Sequence, residues 1–218
     1  MSKNETENCK ASDKKADDLS HAVAALKRGE VIVYPTETLY GLGADALNLD
    51  AVERVFQLKG RDPDNPIPVL IADREMLGAL VAEVPALAKK LMASFWPGPL
   101  TLVLPARKDI PLRLLNSSGS IGVRISSQPI ATELVRALGC PLTATSANPS
   151  GLTPARTLHQ AKQYFAGEIN VFIDAGELTS RTGSTVVEIS ANGVRVIREG
   201  EIGKSELQRA VGESEVIR

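Results

Sequence analysis

Leu19, Ala22, Val23 and Leu26 recur at the spacing of a helix with one apolar face, and Gly29 marks its end. Residues 31–34 then form a short unbroken apolar run, as expected of a strand buried on both faces. These two patterns alternate along the rest of the chain. Apolar runs predict strands over 68–72, 100–104, 121–125, 142–145, 171–173, 185–189 and 194–198. Helical spacing predicts helices over 51–58, 74–81, 85–93, 129–138, 157–165 and 205–211. Alternation of this kind predicts an α/β protein. The Asn192-Gly193 pair between the last two apolar runs predicts a hairpin, so the sheet is expected to be mixed rather than wholly parallel. Residues 1–18 carry charge and almost no large apolar side chain, too little to offset the entropy of ordering, and read as a flexible tail. With no repeat or Gly/Ser/Pro-rich linker, residues 19–218 are expected to form a single catalytic-size domain.

Composition narrows the function classes. The 218 residues are 43% apolar and 23% charged, enough for a core without disulfide or metal support. Lys and Arg number 25 against 26 Asp and Glu, so the chain lacks the basic excess of a non-specific nucleic-acid binder, and any weak tRNA or RNA contact must use a local patch. Cys9 and Cys140 have neither disulfide-framework nor metal-ligand spacing, which fits a reducing, cytoplasmic compartment. The N-terminus has no signal-peptide core, and no stretch approaches the ~20 apolar residues of a membrane span. His21 and His159 fall on predicted helices and are expected at the surface, which argues against a zinc centre or a histidine triad.

Chemistry-bearing residues concentrate in four loops. Residues 34–43, YPTETLYGLG, place Thr36, Glu37 and Thr38 after a strand, with Gly41 and Gly43 permitting close backbone approach to a ligand. Residues 59–68, KGRDPDNPIP, hold Lys59 and Arg61 in a proline-rigid turn; the arginine fork and the compact lysine charge suit phosphate oxygens without any Walker-type loop. Residues 117–126, SSGSIGVRIS, carry Arg124 inside an apolar strand, where it needs either a substrate carboxylate or a structural acid as partner. Residues 143–151, TATSANPSG, set Ser146 and Asn148 two apart at a strand end, with both donors and acceptors to offer. Trp96 to Pro99 reads as a structural turn, and no G-x-S-x-G elbow marks a serine hydrolase.

Taken in order, YPTETLYGLGADA, KGRDPDNPIPVLI, WPGPLTLVL, IGVRIS, TATSANPSG, GSTVVEI and VIREGEI make the chain resemble the YrdC family of threonylcarbamoyl-AMP synthases over roughly residues 19–200. The resemblance implies a YrdC-like domain with a twisted, mixed open sheet and helices around a deep basic cavity, in the short single-domain form. It implies formation of L-threonylcarbamoyladenylate and pyrophosphate from L-threonine, bicarbonate or CO2, and ATP accompanied by Mg²⁺. The adenylate would then pass to a separate transferase that modifies tRNA beside the anticodon. On the matching positions, Thr38, Arg124 and Ser184 become threonine-site residues, Lys59 and Arg61 the catalytic basic pair, and Lys59, Arg61, Asn65, Ser120, Ser146, Asn148 and Arg198 ATP contacts. Asp62 before Pro63 and Glu199 after Arg198 depart from the family pattern. Metal ligands are not identifiable, although Glu37 and Asp45 are acids near the motifs. The competing readings are an RNA-binding or ribosome-assembly module using the same basic cavity, and the related carbamoyl-adenylate domain of hydrogenase maturation proteins, whose zinc-finger modules need cysteines this chain lacks.

Overall fold

The computed structural model describes residues 16–190 and 192–217. Of the tail expected over residues 1–18, residues 1–15 lie outside them, whereas 16–18 are helical: α1 runs over 16–27, because the apolar face of Ala22 and Leu26 supports a helix that extends cheaply through polar residues. Gly29, at φ +80°, ends that turn as expected.

Next come β1 (Ile32–Pro35), β2 (Tyr40–Gly43), α2 (Leu49–Lys59), β3 (Val69–Leu70), α3 (Arg74–Leu80), α4 (Ala86–Phe95), β4 (Leu100–Pro105) and β5 (Ser120–Arg124). The chain continues through α5 (Pro129–Leu138), β6 (Leu142–Thr143), β7 (Thr145–Ser146), α6 (Leu158–Phe165), β8 (Val171–Phe172), β9 (Thr185–Ser190), β10 (Gly193–Arg198), α7 (Lys204–Val211) and β11 (Val216–Ile217). The helix boundaries follow local chemistry. Asn48 caps α2 by accepting from the Ala51 N–H and Gly60 ends it at φ +56°; Pro129 opens α5 and Gly139 closes it; Thr157 and Gln160 form a reciprocal capping box on α6.

The strands form two runs, β7-β2-β1-β8 and β11-β10-β9-β4-β5-β3-β6, mixed as expected: β1–β2, β4–β5 and β9–β10 are antiparallel, whereas β4–β9, β3–β5 and β1–β8 are parallel. Thr143 joins the runs. It pairs with Val69 on one side, while its N–H donates to the Ala44 carbonyl at 2.9 Å and its hydroxyl donates to the Leu42 carbonyl at 3.0 Å. The predicted strand over 142–145 is therefore two short strands at a corner, and 34–43, expected as a ligand loop, is a hairpin closed by a turn at 36–39.

Period-two alternation sends neighbouring side chains into separate cores. Val33 and Val69 face the larger one, with α2, α3, α4, α6 and α7; Ile32, Tyr34 and Leu70 face a smaller one with α1 and α5. Among the described residues, no helix is long and apolar enough to cross a membrane.

Candidate active site

The corner between the two strand runs encloses a cavity of about 590 Å³. Its wall is assembled from elements far apart in sequence. The β1–β2 hairpin contributes Tyr34, Thr36 and Thr38; the loop after α2 contributes Arg61, Asp64 and Asn65; β5 and its approach contribute Asn116, Ser120 and Arg124; β7 contributes Ser146, and the β9–β10 pair contributes Ser184 and Arg198. Thr38, Arg61, Asn65, Ser120, Arg124, Ser146, Ser184 and Arg198, all singled out from sequence, thus share one wall.

Gly41 lines the cavity, as a close-approach glycine should, whereas Gly43 lies off it and serves packing. The Tyr34 ring lies across them, and a Cβ at Gly43 would stand 2.9 Å from that ring. The Tyr34 hydroxyl donates to the Thr143 carbonyl at 2.9 Å, and burial raises it well above the usual phenol range.

Three guanidiniums dominate the electrostatics. Arg61 is anchored by its own loop, donating from Nε to the Asn65 carbonyl at 2.7 Å and from Nη2 to the Pro66 carbonyl at 3.2 Å. Arg198 reaches the cavity because a bulge between Val196 and Arg198 shifts the register of β10; it donates to the Ser184 carbonyl at 2.8 Å. Burial holds Arg61 and Arg198 below the usual arginine range, reinforced by the charge of Arg198 on Arg61 and of Arg124 on Arg198. Among the described residues, Asp64 is the one carboxylate on the wall. An enclosed surface with this balance attracts anions.

Arg124 is 5% exposed and faces Glu37, with Nη1 to Oε1 at 3.6 Å. Of the two partners proposed for it from sequence, the structural acid is present beside it, and the guanidinium also lines the cavity. Thr38 and Thr36 share a hydroxyl contact at 2.9 Å, as do Thr101 and Ser184.

Lys59 and Asn148 stand behind the wall rather than on it. Lys59, 3% exposed, donates from Nζ to the carbonyls of Ser146 at 2.6 Å and Asn148 at 2.8 Å, and its own carbonyl accepts from the Ser150 N–H at 2.7 Å. Burial and, second, the Arg61 charge push this lysine down to about 7. Asn148 donates to the carbonyls of Pro149 and Leu152, leaving Oδ1 buried without a partner.

Sequence reasoning passed over Asp64, Thr101 and Asn116. Thr101 carried a usable signal, a lone hydroxyl in the apolar run LTLVL, of the kind that drew attention to Arg124. Asn116 accepts from the N–H groups of Ser118 and Ser120, an Asx turn that shapes the wall. Glu37 is occupied by Arg124 and Ser126, and Asp45 lies away from the cavity, accepting from the Leu47 N–H at 2.9 Å and from Cys140 at 3.1 Å. Burial and Asp45 push the Cys140 thiol up to about 12. Among the described residues, no cluster of His, Cys, Asp and Glu suits a resident metal ion. Asp64 on the wall offers a carboxylate oxygen of the hard kind that Mg²⁺ takes. His21 and His159 are exposed on α1 and α6, as expected.

A family model described as telomere recombination, for Sua5, YciO and YrdC proteins, matches residues 24–200. The chain belongs to the Sua5/YciO/YrdC family. It is 38% identical over 192 residues to the threonylcarbamoyl-AMP synthase of Pyrococcus abyssi, covering 88% of this chain and 56% of that protein. It is 36% identical over 186 residues to the threonylcarbamoyl-AMP synthase of Photobacterium profundum, covering 84% of this chain and 100% of that one. The fold superposes on P. abyssi Sua5 complexed with L-threonine at a TM-score of 0.87 and 36% identity, over 91% of this chain and 58% of the other. The chain thus spans little more than half the length of the Pyrococcus relative and the whole of the Photobacterium one.

Proposed function

We propose that this Sua5/YciO/YrdC protein is a threonylcarbamoyl-AMP synthase, joining L-threonine, bicarbonate or CO2, and MgATP into L-threonylcarbamoyladenylate with release of pyrophosphate. The observation that carries this reading is one cavity whose wall combines three guanidiniums, one of them buried, with several hydroxyls. Arg124 takes the threonine carboxylate, with Thr38 and Ser184 about the rest of the amino acid. Arg61 and Arg198 take the phosphates, and Asn65, Ser120 and Ser146 line the nucleotide's path. Lys59 and Asn148 shape the 146–150 segment from behind, and the charged lysine adds its field to that of Arg61.

The amine of threonine captures CO2 as a carbamate, a carbamate oxygen attacks the α-phosphorus, and pyrophosphate departs. No protein nucleophile is required, so the residues act by positioning and charge neutralisation. The adenylate is an activated acyl donor, and a separate transferase delivers it to tRNA beside the anticodon in the cytoplasm.

The test is pyrophosphate release by the purified protein with ATP and Mg²⁺, with threonine and bicarbonate supplied or withheld, and mass detection of the adenylate. Release that needs both co-substrates is the expected result. Threonine-independent behaviour, together with RNA binding that weakens steeply with salt, would replace this reading by the RNA-binding one.

A further inference from the structure

Arg124 and Glu37 form an incomplete pair. The guanidinium and carboxylate approach to 3.6 Å, beyond the ~2.7–2.9 Å of a charge-assisted hydrogen bond, and Nε of Arg124 and Oε1 of Glu37 are both buried with no hydrogen-bond partner. The contact at 3.6 Å runs from Nη1 of Arg124 to the unpartnered Oε1, and a buried carboxylate oxygen this near a guanidinium is driven to close on it, since the orphan carries the full cost of its lost hydration. Something must hold them apart.

The restraint is Ser126. Its hydroxyl donates to Oε2 of Glu37. The same hydroxyl oxygen accepts from the Gln128 N–H at 3.1 Å, which leaves its single proton for the carboxylate, and the Ser126 carbonyl accepts from the Thr132 hydroxyl at 3.0 Å. Ser126 is 2% exposed and fixed at the start of α5, so the tether is anchored on a rigid element. Were Glu37 free to swing onto Arg124, a two-bond fork would consume the donors that a ligand carboxylate needs.

We infer that Ser126 is a positioning residue of the amino-acid site: by holding Glu37 at arm's length it keeps Arg124 oriented and available to the substrate carboxylate. This rests on the proposed threonine reading, so the experiment has one arm that depends on turnover and one that does not.

In the kinetic arm, Ser126→Ala raises the KM for threonine about tenfold, the loss expected when one charged hydrogen-bonding group is sequestered, while the KM for ATP and kcat at saturating threonine hold. Adding Glu37→Gln to Ser126→Ala restores threonine KM to that of Glu37→Gln alone, because an amide cannot close the ion pair. Ser126→Thr, which keeps the hydroxyl, behaves as wild type. In the second arm, the guanidinium Nη–H resonances of Arg124, assigned by their loss in Arg124→Lys, move to a hydrogen-bonded position in substrate-free Ser126→Ala and return in the double variant. An unmoved resonance, an unchanged threonine KM in Ser126→Ala, or a double variant no better than Ser126→Ala overturns the inference. Absence of threonine-dependent turnover in wild type removes the functional reading, while the resonance still decides whether the tether exists.

Discussion

Lys59 is where local energetics and function are most closely coupled, and Lys59→Met isolates its role. Methionine keeps an unbranched apolar stem and removes the ammonium. The Asn148 carbonyl then loses its donor, at about 1–3 kcal/mol for a buried orphan, whereas the Ser146 carbonyl still accepts from the Asn148 N–H at 2.9 Å. Against this, the variant no longer takes an ammonium out of water, a penalty of several kcal/mol when the group is charged. The balance depends on pH. Lys59 is pushed down to about 7 in the folded protein, whereas an unfolded lysine keeps its proton to about 10.4. Between these values the unfolded chain binds more protons, so wild-type stability rises with pH, by up to about 1.4 kcal/mol per pH unit, and Lys59→Met lacks this increment. The two proteins are therefore expected to differ least near neutrality, with wild type gaining about 2 to 3 kcal/mol on the variant by about pH 9. Urea unfolding followed through the lone tryptophan, Trp96, measures both curves under the same conditions. A stability gap that stays constant from neutral to alkaline pH would refute the reasoning and show that Lys59 remains charged throughout.

Three further outcomes follow from particular contacts. Arg61→Ala is expected to lower adenylate formation by orders of magnitude and raise the KM for ATP while the circular-dichroism melt changes little, since the guanidinium's partners are carbonyls of its own loop; near-normal turnover would remove Arg61 from the phosphate site. Thr185, 0% exposed, donates to the Ile202 carbonyl at 2.6 Å and accepts from the N–H groups of Gly200 and Ile202. Thr185→Val should cost about 2–4 kcal/mol by stranding these three groups, and a cost under about 0.5 kcal/mol in urea unfolding would contradict that count. Gly43→Ala places a methyl against the Tyr34 ring and should destabilise by about 1–3 kcal/mol, with Tyr34→Leu in the same background relieving part of the loss.

Residues with a strong local signature were legible from sequence. The helix at Pro129–Leu138 falls where its apolar spacing, its opening proline and its closing glycine place it. The β9–β10 hairpin forms where it was expected, with Asn192 in the turn and Gly193 already in the strand opposite Ser190. Arg124 announced itself as a charge in an apolar strand. Less legible was the stretch from Tyr34 to Gly43, where hydroxyls and glycines suggested a ligand loop. There the hairpin arises because the Tyr34 ring needs two glycines opposite it, a demand made by residues outside the local pattern. The short strand β11 escaped notice for a similar reason, since its pairing with β10 is supplied by the fold rather than by any apolar run of its own.

The sequence by itself determined the α/β alternation, the family, and which loops carry the chemistry, because periodicity, caps and spaced motifs act over a few residues. Only the tertiary structure decided which of those groups face the cavity. It turned Arg61, Arg124 and Arg198 toward a shared space, set Lys59 and Asn148 behind the wall as struts, and tied one oxygen of Glu37 to Ser126 while the other faces Arg124. The physical reason is that side-chain direction at a sheet corner depends on register, on a one-residue bulge, and on hydrogen bonds between segments far apart along the chain, such as Ser126 to Glu37 and Lys59 to Ser146.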